Sequence, residues 1–77
     1  MSESDDLHDM IDVLTLAIAR EESEELFFKR SAEASTHKIA REMFNEIAGE
    51  FAGLRKSLEP RKVILTEALA DLEKSKQ

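Results

Sequence analysis

Seventy-seven residues with a formal net charge of -6 and no cysteine describe one small domain, near the lower limit of what folds unaided. Disulfide frameworks, thiolate metal sites and cysteine nucleophiles are thereby excluded. With no Trp or Tyr and 5% aromatic residues, the chain lacks a stacking platform for single-stranded nucleic acid, and its acidity opposes phosphate backbones and anionic membranes.

The residues from Met1 to Met10 are acidic and polar, unlike a secretory signal, and no run nears the roughly 18 apolar residues of a membrane span. A cytoplasmic protein is expected. Hydrophobic residues reach 42% and charged ones 36%, with two Gly and one Pro. That balance suits a folded domain, and its Ala, Glu, Leu, Lys and Arg favour an all-α class.

A first helix is expected over about residues 4–34, capped by Ser2 or Ser4, with Glu3, Asp5 and Asp6 at its positive end. Leu7, Ile11, Leu14, Ile18, Phe28 and Ala32 recur at helical spacing, and Glu21 and Glu25 fall on the same stripe. Val13, Leu16 and Phe27 form a partial second stripe, so the helix carries more apolar surface than one neighbour covers. A turn at 35–37 follows, in which Ser35 or Thr36 can cap the next helix.

The second helix is expected over about 38–74, with a stripe of Ala40, Phe44, Ile47, Phe51, Leu54 and Leu58. Pro60 is the sole proline. The four-three rhythm nevertheless continues beyond it through Arg61, Leu65, Ala68 and Leu72, which favours a kinked, continuous helix over a break. The whole chain, 1–77, is one helical-hairpin domain on this reading. A turn centred near Ser35 and Thr36 sets Phe28 against Phe44, Glu21 against Phe51, Ile18 against Leu54 and Leu14 against Leu58. Leu14, Ile18, Phe28, Phe44, Ile47, Phe51, Leu54 and Leu58 are the expected seam, with Met10 and Met43 beside it as further core. Val13, Leu16, Phe27 and Met43 still need cover. A second copy supplies it, making an antiparallel hairpin that dimerises into a four-helix bundle.

The segment Ala17–Phe28, followed by Ser31-Ala32-Glu33-Ala34, resembles the first helix of a rubrerythrin-type, ferritin-like hairpin. That helix carries an alanine, a ligand glutamate four residues later, an aromatic pair and a small-residue exit. Ala40–Ala48 resembles the opening of the second helix, and the likeness runs from about Ala17 to Leu58. The resemblance implies a ferritin-like bundle and, in its metal-loaded members, iron held by Glu-x-x-His on the second helix. Here the positions of that motif hold Phe51 and Leu54, or Glu50 and Gly53 after a slide of one residue, so the motif is lost. Glu21 matches the first-helix ligand.

Three readings follow, the last of them a coiled-coil adaptor unrelated to that family. In the first, the chain is a non-catalytic module acting through self-association and contact with a basic or neutral protein partner, without a cofactor. Glu21 and Glu25 then reach water or bond to Arg20, Lys29 or Arg55 at the seam's edge. In the second, Glu21 and Glu50 belong to a carboxylate-only iron site at a subunit interface. Glu46 and Glu50, one turn apart, lie outside the stripe and read as solvated. His8 and His37 stand near opposite ends of the first helix, about 40 Å apart at 1.5 Å per residue, and read as surface or capping residues. No nucleophile–base pair or phosphate loop is present, so there is no positive case for catalysis. Neither nucleic acid nor membrane is an expected partner.

Overall fold

The computed structural model describes residues 2–75, in which two long helices, α1 (Glu3–Ala34) and α2 (Lys38–Ser75), pack against each other as a hairpin. Ser2 caps α1, its hydroxyl accepting from the Asp5 amide at 3.3 Å, and Glu3, Asp5 and Asp6 occupy the first turn, where the helix dipole favours negative charge. Ser35 ends α1 in an extended conformation, φ -80° and ψ 131°, and donates its amide to the Ala32 carbonyl. The cap of α2 is His37 rather than Ser35 or Thr36. Its Nδ1 accepts from the Ile39 amide at 3.2 Å and its carbonyl from the Arg41 amide at 3.0 Å. Ser35 is occupied elsewhere, its hydroxyl donating to the Ser31 carbonyl at 2.8 Å.

Pro60 lies inside α2, which continues unbroken to Ser75. Proline has no amide to donate, so the carbonyl of Lys56 loses its helical partner. Lys56 and Pro60 are both exposed, where solvent can reach that carbonyl.

Burial along α1 follows Leu7, Ile11, Leu14, Ile18, Glu21, Glu25, Phe28 and Ala32, alternating steps of four and three. On α2 it follows Phe44, Ala48, Phe51, Arg55, Leu58, Lys62, Leu65, Leu69 and Leu72, with the same alternation. A strict seven-residue repeat on both helices is the pattern of a left-handed coiled-coil seam. This corrects the stripe read from the sequence at every second layer. Leu54 is 47% exposed and Arg55 takes its place in the seam. Lys62 and Leu69 likewise replace Arg61 and Ala68, and Ala48 packs deeper than Ile47. Met10 and Met43, expected in the core, are about half exposed.

The register also sits roughly two turns further along α2 than a symmetric turn gives. The Phe51 ring stacks on Phe28, with centroids 5.6 Å apart and planes at 10°, and Arg55 reaches Glu25. Phe44 closes the cluster on the other side of Phe28 at 6.1 Å. The extended Ser35 lets α2 begin beyond the end of α1, and Arg41 holds this overhang by donating to the carbonyls of Ser35 and Thr36 at 3.4 and 3.3 Å. The deepest burial falls on small side chains, Ala32 and Ala48 being 3% and 2% exposed, and only Leu69 joins them as buried among the described residues.

Candidate functional site

The middle of the seam is polar. Glu21, Glu25 and Arg55 stand at layers where the repeat calls for apolar residues, because α1 and α2 each place charged side chains in phase with their core positions. Glu25 accepts from Lys29 Nζ at 2.8 Å and from Arg55 Nη2 at 3.2 Å. Arg55 Nη1 donates to Glu59 Oε1 at 2.9 Å. One turn of α1 and one turn of α2 are thereby tied by a guanidinium shared between two carboxylates, the donor geometry arginine suits. The sequence allowed Arg20, Lys29 or Arg55 as partners of Glu25, and the structure brings Lys29 and Arg55 to it.

These bonds shift both groups. The Glu25 carboxyl lies below its ordinary value of 4.5, through the hydrogen bond from Lys29 first and that from Arg55 second, with burial opposing. Arg55 is raised above its ordinary value by its hydrogen bonds to Glu59 first and Glu25 second. An unfolded chain binds a proton at Glu25 more readily than the folded one does, so acid favours unfolding. The contribution of Glu25 is complete above about pH 4.5 and disappears as pH falls through the depressed folded value. Thermal melts of wild type and Glu25→Gln should therefore differ at pH 7 and converge toward pH 3. A gap unchanged across that range would show that the carboxylate charge is not what the layer uses.

Two seam atoms are enclosed without hydrogen-bond partners, Glu21 Oε2 and Arg55 Nε. An enclosed polar atom without a partner is destabilising, so both atoms weigh against the bonds that Glu25 and Arg55 make at the same level. Glu50, the other candidate ligand, is exposed on α2, and Phe51 beside it packs on Phe28. Among the described residues no three His, Asp or Glu side chains converge as a metal site. Glu46 is exposed. His8 pairs with Glu73 across the open end at 3.6 Å, both side chains more than half exposed, and His37 serves as the α2 cap.

Leu14, Ile18, Phe28, Phe44, Ile47, Phe51 and Leu58 are partly buried along the hairpin. Leu14 and Leu65 of the seam, with Asp9, Met10, Val13, Arg61 and Ile64 beside it, border an open groove of about 520 Å³ between the helices. Sequence reasoning missed Arg55 as a seam residue. The signal was present: stepping four and three from Phe44 through Ala48 and Phe51 lands on it, opposite in charge to Glu25. No helix among the described residues is long and apolar enough to cross a membrane. Set against known protein families, curated proteins and solved structures, the chain matches none.

Proposed function

We propose that the chain is a cytoplasmic, non-catalytic helical module, related to the ferritin-like, rubrerythrin-type hairpins, that acts through self-association and protein–protein contact. The amount of surface it leaves open carries this reading. The hairpin exposes 5781 Å², whereas a compact monomer of its mass exposes about 4,700 Å². The surplus of about 1,000 Å² is close to the roughly 800 Å² per partner that a standard interface covers. Its shape supports the same reading. The molecule measures 60 × 17 × 13 Å, a single layer of two helices, whereas stable domains close a core between two layers. A second hairpin supplies the missing layer and completes a four-helix bundle, whose acidic exterior suits a basic or neutral protein partner. Light scattering at micromolar concentration should give a mass of at least twice the 8.7 kDa chain; a strictly monomeric species overturns the proposal.

A second reading rests on the enclosed, unpartnered Oε2 of Glu21: a small iron-binding protein whose carboxylate-only site, with Glu50, forms between subunits. Anaerobic ferrous titration separates the two. Tight, stoichiometric binding lost in Glu21→Ala supports the second reading, and its absence in wild type removes it.

A further inference from the structure

Of the exposed large apolar residues described, six lie on one side of the rod, and Leu16, Leu26, Ile39 and Val63 lie elsewhere. On α1, Met10, Val13 and Phe27 follow the seam at a constant offset, in the same four-three rhythm, and Arg20 and Glu24 fill the middle of that row. On α2, Met43, Ile47, Leu54 and Ile64 make the matching row, with Glu50 and Arg61 between them. In an antiparallel pair these two rows flank the same side of the seam. The groove in which Met10 and Val13 share walls with Arg61 and Ile64 shows that they do. Met10, Val13, Phe27, Met43, Leu54 and Ile64 are each about half exposed or more. The opposite side carries His8 against Glu73 and Arg55 against Glu59, with Val63 beside Glu59.

We infer that this one face receives a second copy of the chain head to tail, the turn of each hairpin over the open end of the other, with α1 on the partner's α1 and α2 on the partner's α2. The inference rests on the self-association reading and adds the face and the direction to it. Charge placement sets the direction. Arg61 lies level with Val13 and Leu14, toward the open end, while Glu50 adjoins Phe51, level with Phe28 toward the turn. Arg20 and Glu24 stand between these levels. A two-fold axis through the middle of the face brings Arg61 of each copy onto Glu50 of the other, and Arg20 toward Glu24, each pair made twice. The same operation lays Ile64 over Ile47 and Phe27 over Ala17, so apolar positions meet apolar positions. Two copies with their turns at the same end instead set Glu24 near Glu50 and rest Arg61 on Val13, and like charges and unpaired charges at an interface select against that order.

The cysteine-free chain allows a direct test by mixing single-cysteine variants under mild oxidation. Ile47→Cys with Ile64→Cys should give a mixed disulfide. Ile64→Cys alone should give none, because its two copies would stand about 25 Å apart at 1.5 Å per residue. A mixed disulfide between Val13→Cys and Ile64→Cys in its place overturns the head-to-tail order. A dimer by light scattering that forms neither disulfide puts the contact on another face, and overturns this inference while leaving self-association standing. A monomer overturns both. As an independent measurement, Arg61→Glu should weaken dimerisation about tenfold, and the double variant Arg61→Glu/Glu50→Arg should restore it. Equal weakening in the single and double variants counts against the pairing.

Discussion

Replacing Pro60 with alanine should stabilise the protein by up to about 3 kcal/mol, the difference between proline and alanine inside a helix. For a domain of this size that is a rise in melting temperature on the order of 10–20 °C. The gain is expected because α2 already runs through the position without losing its seven-residue phase: Leu58 and Leu65 on either side both face α1. Pro60 is exposed, so little apolar contact is lost, and alanine restores an amide that donates to Lys56. Pro60→Gly restores the same amide but costs roughly 1 kcal/mol of helix propensity, so its melt should fall between the other two. All three are to be compared at one protein concentration, since dimerisation shifts apparent stability. If the bend at the proline is what seats Leu65, Leu69 and Leu72 on α1, the alanine variant melts no higher than wild type, and the expectation fails.

Phe28→Ala should be the most damaging single truncation, at about 3 kcal/mol. The Phe28 ring lies between those of Phe44 and Phe51 and receives the edge of Phe27 at 5.2 Å and 86°. Removing it leaves two rings on α2 without their partner and opens a hole beside Ala32 and Ala48, which are too small to fill it. Phe27→Ala is the contrast. Its ring is 61% exposed in a single hairpin, so truncation should cost the fold little and should raise the dimer dissociation constant instead. Denaturant melts read the first effect and sedimentation the second; a large loss of fold stability in Phe27→Ala, with dimerisation intact, would reverse the assignment of the two rings.

The hairpin was legible because its two ends of seam are apolar and in phase. On α1, Leu7 to Ile18 and then Phe28 and Ala32 fix one face, and even Glu21 and Glu25 were placed on it by spacing alone. On α2 two phases share Phe44, Phe51, Leu58, Leu65 and Leu72 and differ at the layers between them. Choosing the greasier residue at each of those layers selects Ile47 and Leu54, whereas the hairpin packs Ala48 and Arg55. Hydrophobicity misleads there because both alternatives do useful work: small or charged residues serve the deepest burial and the cross-link to Glu25, and the larger apolar ones stand on the open face. The His37 cap was hidden for a different reason. An imidazole nitrogen can accept an amide as a serine hydroxyl does, but the composition of a turn ranks serine and threonine first. The enclosed oxygen of Glu21 depends on the rotamers of its neighbours, which spacing does not carry.

The ends of the described chain meet at one end of the rod, where His8 touches Glu73. Tension applied between those ends therefore pulls across the helix pair, not along it, and peels α1 from α2 layer by layer, as a zipper opens. Little force is needed, since only one layer resists at a time, and the first to part are single leucines near the ends. The three rings and the two buried alanines lie next to the turn and yield last. A hairpin stretched part-way keeps that knot closed, and from it the zipper can run shut again when the load is released.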